Sequence, residues 1–316
     1  MVSLELGGRK NKGEMERYVI ALDVGGTFLV SAVISSKGSF LKRSYKKTPV
    51  NSKGTSEEII TTFVRTLREA LDIAEDKNLN VIGIGVGMPG PFNYKEGISL
   101  IKGVDKYESI YGMNLKKEFI KRLDLKEDFP IYFENDARTF LMGEDWIGEA
   151  RGYKRVIGLT LGSGLGSAFM ADGKIVTEGQ GVPPYGWIGV LPYDNGILDD
   201  IISRRGIIAR YNDLTKESSS GPDVKEIACL AEKGDEISLK VFEEFGSLLG
   251  KVLKDIIFRF GAECLVIGGQ ISKSFPLFKK SLVQEIKSIP SLRKVVPARR
   301  IDLSALYGEA KLVFQD

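Results

Sequence analysis

Residues 22–38 read LDVGGTFLVSAVISSKG, and residues 159–174 read LTLGSGLGSAFMADGK. Each runs as an apolar strand, a turn of small residues, a second apolar strand and a glycine-containing reverse turn, which is the pattern of a β-hairpin. The two stretches lie about 137 residues apart, allowing one gap. Two glycine-rich hairpins can arise independently. Here both occupy the same place in a succession of strands and helices, which favours duplication of a βββαβα unit.

Working outward from the first copy, YVIALDV from Tyr18, FLVSAVI and FLKRSYKK predict a meander of three strands. Thr55 with Glu58 forms a capping box, and Ile59, Phe63, Leu67, Leu71 and Ala74 recur at helical spacing, so a long amphipathic helix follows. VIGIGVG at 81–87 predicts a strand, MPGPFNYKEG a loop, Leu115 to Leu123 a helix, PIYFE a strand, and a further helix opens near Asn135 and Asp136. After the second copy, helices are expected near 197–211, 223–233 and 235–260, then the strand CLVIGG at 264–269 and a helix after Ser274. Helices alternating with nearly unbroken apolar strands indicate an α/β protein whose sheets are covered on both faces. With 316 residues the chain has room for two such domains and a cleft between them.

Composition excludes several chemistries. The chain has no histidine, which removes Ser-His-Asp and Cys-His nucleophiles and imidazole metal sites, so proton transfer falls to carboxylates, lysine or tyrosine. Cys229 and Cys264 are far apart and in no CxxC pair, which indicates neither a thiolate zinc site nor a disulfide framework and fits a reducing, cytoplasmic setting. Forty-five basic against 42 acidic residues leave +3 spread along the chain, too diffuse for a nucleic-acid footprint. The N-terminus lacks an apolar signal region, and the long charge-free stretches near 81–94 and 156–171 are studded with glycine, so no membrane segment is expected.

Three glycine turns follow apolar strands: Asp23-Val24-Gly25-Gly26-Thr27, Gly162-Ser163-Gly164-Leu165-Gly166 and Gly268-Gly269-Gln270. Glycine lets backbone amides approach a phosphate without a Cβ in the way. Singly, each turn reads as a tight hairpin. Three at equivalent strand ends favour a nucleotide, with Asp23 placed to hold a magnesium ion against a triphosphate. Gly85 to Gly90 also satisfies GxGxxG, yet Pro89 and Pro91 forbid the helix that the dinucleotide fingerprint requires, and no P-loop motif occurs. Asn135 and Asp136 lie just past the strand PIYFE, where α/β sheets place ligands, and at a helix N-terminus that favours an ionised carboxylate. Two readings stand side by side for the pair: a simple N-cap with a first-turn acid, or a ligand site with a base.

DVGGT at 23–27, GVGMPGP at 85–91, FENDA at 133–137, LTLGSGLG at 159–166 and VIGGQIS at 266–272 resemble, in order and spacing, the ROK family of sugar kinases and sugar-responsive repressors. The resemblance implies a duplicated actin-like, hexokinase-like ATPase fold whose two domains close on ATP and a sugar. It places a polar tail at 1–17, a smaller domain at 18–136 with 308–316 as a candidate completion, and a larger domain at 137–307. It implies phosphoryl transfer from ATP with Mg2+ to a sugar hydroxyl, and a homodimer. Under it, Asp136 is the catalytic base. Gly90, Asn135 and Asp136 bind sugar. Asp23, Gly25, Gly26, Thr27, Gly162, Ser163, Gly164, Gly268 and Gly269 hold the nucleotide.

The chain also departs from the pattern. The family's Gly-Glu-x-Gly-His segment reads Gly186-Trp187-Ile188-Gly189-Val190 here, and its cysteine-rich segment is replaced by LPYDNGILDDIISRRG. No structural zinc is therefore expected. Asp199 stands where a sugar-binding glutamate is usual, Trp187 and Glu178 are candidates to replace the missing sugar contacts, and Lys102 falls near the place of a sugar-binding asparagine. A Trp under the loop, a surface Glu and a solvated Lys are the plain alternatives. A ROK repressor would carry a helix-turn-helix ahead of the first strand, where this sequence has 17 polar residues. A catalytically idle sugar binder would not need the retained Asp23, Asn135 and Asp136, so a carbohydrate kinase is the expectation.

Overall fold

The computed structural model describes residues 15–216 and 221–315, so most of the expected polar tail, residues 1–14, lies outside the described residues. The first half runs β1 (Arg17–Val24), β2 (Phe28–Ser35), β3 (Lys46–Pro49), α1 (Ser56–Glu75), β4 (Asn80–Met88), a ribbon of β5 (Phe92–Asn93) and β6 (Ile98–Ser99), α2 (Leu115–Leu123), β7 (Ile131–Asn135) and α3 (Asp136–Trp146). The second runs β8 (Arg155–Leu161), β9 (Leu165–Ala171), β10 (Lys174–Val176), a ribbon of β11 (Pro192–Tyr193) and β12 (Gly196–Ile197), then α4 (Leu198–Ile201), α5 (Arg204–Thr215), α6 (Val224–Glu232) and α7 (Glu236–Phe260). It closes with β13 (Cys264–Gly268), α8 (Phe275–Ile286), β14 (Lys294–Pro297) and α9 (Ser304–Phe314).

The two halves repeat one topology. The first sheet has the order β3-β2-β1-β4-β7 and the second β10-β9-β8-β13-β14. In each, the three leading strands are antiparallel and the last two join parallel to the first. The duplication expected from the paired hairpins is therefore present strand for strand. The capping box is also as expected: the Thr55 hydroxyl accepts the Glu58 N–H and the Glu58 carboxylate accepts the Thr55 N–H. From there α1 buries Ile59, Phe63, Leu67 and Leu71 against the first sheet, each fully buried apolar side chain contributing about 2 kcal/mol.

The third strand starts later than FLKRSYKK predicts. Arg43 adopts a φ of 67°, and the Ser44 hydroxyl bonds back to Leu41 and accepts the Val33 N–H, so residues 41–44 turn before β3 begins at Lys46. Such short polar residues compete with the strand ladder by local bonds of this kind.

α3 and α9 form the layer between the sheets. Phe140, Leu141 and Met142 of α3 pack on the second sheet with Val156, Met170 and Val266. Leu306, Tyr307, Ala310 and Val313 of α9 pack on the first, with Val19, Ala21 and Ile34. The helices cross at glycines: a Cβ on Gly143 would stand 1.8 Å from the Ser304 carbonyl oxygen, and one on Gly308 1.7 Å from that of Thr139. The alternating glycines of β4, which mimic a dinucleotide motif, are the seat of α9. A Cβ on Gly85 would stand 1.9 Å from the Glu309 carbonyl oxygen and one on Gly87 2.3 Å from its Oε1. No described helix is long and apolar enough to cross a membrane.

Candidate active site

Both hairpin turns open on the space between the sheets. A cavity of about 560 Å³ is lined by Asp23, Gly25, Gly26 and Thr27 from the first half and by Thr160, Gly162, Gly269 and Gln270 from the second. A neighbouring cavity of about 330 Å³ is lined by Gly90, Lys106, Gly162, Ser163, Gly164 and Asp199. Asp136 lines both. It is the first residue of α3, where helix amides face a ligand and favour negative charge.

The turns are braced from behind. The Gly25 N–H donates to Phe28 O at 3.0 Å, the buried Tyr107 hydroxyl donates to Gly25 O at 2.5 Å, and Ser52 Oγ donates to Gly26 O at 2.7 Å. In the second turn Gly162 N–H donates to Gly164 O at 3.0 Å, and Leu165 N–H donates to Asp199 Oδ1 at 2.6 Å. Arg205 donates to the other Asp199 oxygen at 2.9 Å. Asp199 thus lines the cavity with both oxygens already engaged in holding the phosphate turn. In the third turn Gly269 lines both cavities with φ 79°, whereas Gly268 is set behind them, a Cβ there falling 2.4 Å from the Phe140 ring.

On the far side, Asn135 is the buried N-cap of α3 and lines neither cavity. Its Oδ1 accepts the Ala137 N–H at 3.1 Å and its Nδ2 donates to Tyr94 Oη at 3.3 Å. The Tyr94 hydroxyl donates to Met88 O at 3.2 Å, and a Cβ on Gly90 would come within 3.1 Å of that hydroxyl and 3.8 Å of Trp187 Cζ2. Trp187 is half-buried and lies 5.3 Å, centre to centre, from the exposed Tyr185 ring. Arg138 ties this loop to α3, pairing with Glu134 at 3.0 Å and donating to Tyr185 O at 3.1 Å. Glu178 is exposed and lines neither cavity, and Lys102 is exposed with its ammonium 5.8 Å from the Tyr111 ring centre. The sequence reading missed Tyr94, Tyr107, Ser52 and Lys106, whose roles rest on contacts between distant segments.

Three carboxyl groups crowd the centre. Burial first, then the Asp136 charge, pushes the Asp23 carboxyl from 3.8 up to about 7. Glu309 of α9 is fully buried behind them, neither oxygen in a hydrogen bond of normal geometry, and its carboxyl is held well above the usual range by burial and by the Asp23 and Asp136 charges. The Gly87 amide opposes that rise only weakly. Among the described residues Asp23 has no ion-pair partner. A half-buried acid that lacks a cation and is repelled by a second acid fits a carboxylate that would help to hold a divalent metal.

These raised acids set a pH dependence. Folding favours their neutral forms, so the stability they contribute is full below the ordinary carboxylate range and is lost as pH rises through each raised value, which for Asp23 is about 7. Acids held low by arginines, such as Glu57 and Asp223, act in the opposite sense below that window. The urea midpoint of the ligand-free protein should fall between pH 5 and 8, and Glu309→Gln should flatten the fall. A variant curve as steep as the parent's would contradict this account.

The sequence model of the ROK family matches residues 19–316. The chain belongs to the ROK family. This ROK protein is 25% identical to a glucokinase from Thermotoga maritima, covering 93% of this chain and 96% of that one. It is 26% identical to an N-acetyl-D-glucosamine kinase from Haemophilus influenzae, covering 92% and 97%. A solved ROK family glucokinase from Streptomyces griseus, in complex with glucose and AMPPNP, shares its fold with a TM-score of 0.74 at 22% identity, over 95% of this chain and all of that one.

Proposed function

We propose that this ROK protein is an ATP-dependent carbohydrate kinase that phosphorylates a hydroxyl of a hexose or hexose derivative. The observation that carries the reading is Asp136, shared by the cavity between the glycine turns and the cavity lined by Gly90 and Asp199. The kinase names of the relatives support it.

The two glycine turns bind the triphosphate through the amides they leave open, those of Gly26, Thr27, Ser163 and Gly164, since the Gly25 and Gly162 N–H groups already close the turns, and Asp23 would hold Mg2+ at its oxygens. When bound, that ion screens the phosphate charge. Asn135, Gly90 and the Trp187 face orient the sugar on the other side. Asp136 accepts the hydroxyl proton as the oxygen attacks the γ-phosphorus, the bond to the bridging oxygen breaks, and ADP leaves with its electron pair. The same reading makes the protein a cytoplasmic homodimer.

A coupled ADP assay over a panel of hexoses, N-acetylhexosamines and sugar acids tests the reading. One member should stimulate ADP release well above background. Failure of every sugar, with no binding of AMPPNP, would overturn it. Gly162→Ala tests the phosphate turn separately. Nothing lies within 4 Å of the added methyl and the backbone there is not left-handed, so unfolding should change by less than about 0.5 kcal/mol. The methyl intrudes where phosphate is to sit, so the Kd for Mg-ATP should rise about tenfold, or about 1.4 kcal/mol, by calorimetry.

A further inference from the structure

Lys106 is the cationic side chain among the described residues lining the cavity that also holds Gly90, Asp136 and Ser163. It is half-buried, its Cδ 3.8 Å from the position of a Cβ on Gly26, so its stem lies along the first phosphate turn. Unlike Lys53, which pairs with Asp105, Lys106 makes no ion pair within 4.0 Å among the described residues. Of the acids in its cavity, Asp199 is engaged by Leu165 N–H and Arg205.

The backbone holds this lysine in place. Asp105 and Tyr107, on either side of it, have φ of 55° and 58°, a region that non-glycine residues enter only when their surroundings impose it. Contacts on both sides of Lys106 fix it, one of them to the first turn. Tyr107 is completely buried, donates its N–H to Ser52 O at 2.6 Å and its hydroxyl to Gly25 O, and Asp105 N–H donates to Glu108 Oε1 at 2.9 Å. Lys106 is therefore tied through Tyr107 to the first glycine turn. Strain held beside a cleft, with an unpaired cation at its centre, is arranged for an anion that arrives with substrate.

We propose that Lys106 is a further catalytic residue, its ammonium contacting the transferred phosphoryl group between Asp136 and the two glycine turns. The inference rests on the kinase reading. As the acceptor oxygen bonds to the γ-phosphorus and ADP departs with the electron pair of the broken P–O bond, the hydroxyl proton passes to Asp136. Lys106 neither gives nor takes a proton. It offsets charge on the oxygens of the phosphoryl group in flight, a contact stronger in the transition state than in the bound sugar.

Lys106→Met and Lys106→Arg in the full chain test this. The methionine variant should lower kcat by about 10²–10³-fold with the acceptor KM within about threefold, and arginine should restore at least about tenfold of the loss. Calorimetry gives a reading independent of turnover: the preference for Mg-AMPPNP over Mg-ADP should shrink about tenfold in Lys106→Met, with ADP affinity unchanged. The unfolding midpoint should match the parent's, since the removed ammonium makes no bond. A kcat within threefold of the parent, a raised acceptor KM alone, as an anionic acceptor would give, or an unchanged nucleotide preference would each overturn the proposal. If the parent phosphorylates no sugar, the kinase reading fails by itself, and the nucleotide preference still decides the role of Lys106.

Discussion

Asp136→Asn is expected to lower kcat by about 10³-fold, within the 10²–10⁴ range of general-base catalysis and equal to about 4 kcal/mol of barrier. The substitution is nearly isosteric. Asp136 Oδ1 accepts the Ala137 N–H at 2.9 Å, a bond that an asparagine oxygen can keep, and the Asn135 cap next to it is untouched. The start of α3 should therefore hold, and sugar affinity should stay within about threefold. Nucleotide binding should not suffer either. Asp136 is one of the two causes that hold the Asp23 carboxyl up near 7, so its neutralisation lets Asp23 ionise more readily and favours Mg-ATP. The combination is diagnostic: turnover collapses while both ligands still bind, by calorimetry with sugar and with AMPPNP. A variant that turns over as fast as the parent would remove Asp136 from the role of base, and one that loses AMPPNP binding would assign it to the nucleotide instead.

Much of this architecture was legible because its signals are local. The hairpins at 22–38 and 159–174 declare themselves by strand alternation around glycine turns, and Thr55 with Glu58 marks the start of α1 within four residues. Asn135 and Asp136 could be read twice over, as cap and as site, and the structure shows Asn135 as the cap, lining neither cavity, and Asp136 lining both. What stayed hidden depends on long-range contact. Tyr107 reaches Gly25 across 82 positions and Ser52 across a shorter span, and Lys106 sits beside the turn through such contacts. Asp199, expected at the sugar by resemblance, has its oxygens turned to Leu165 and Arg205. The β4 glycines make sense only once α9 lies across them, more than 200 positions later in the chain. α9 itself carries no clear polar stripe, because it is sandwiched between the first sheet and α3.

That sandwich yields the second large effect: Gly308→Ala is expected to destabilise the protein by about 4 kcal/mol or more, a substantial part of the 5–15 kcal/mol typical of a folded protein. Two terms oppose each other. Alanine is the better helix former by about 1 kcal/mol, which on an exposed helix would stabilise. Here the methyl would lie 1.7 Å from the Thr139 carbonyl oxygen and 2.5 Å from its carbon, overlapping backbone that has no rotamer to change. Sliding the helices apart gives little relief, since Gly143 meets Ser304 in the same way from the other side and both helices are fixed to their own sheets. Separation by an ångström or more would open gaps beneath Tyr307, Ala310 and Phe140 and leave the buried Glu309 among loosened neighbours. The packing term should win. Urea unfolding followed by circular dichroism would read it as a large drop in midpoint, and a midpoint equal to or above the parent's would mean that the two helices do not meet at these glycines.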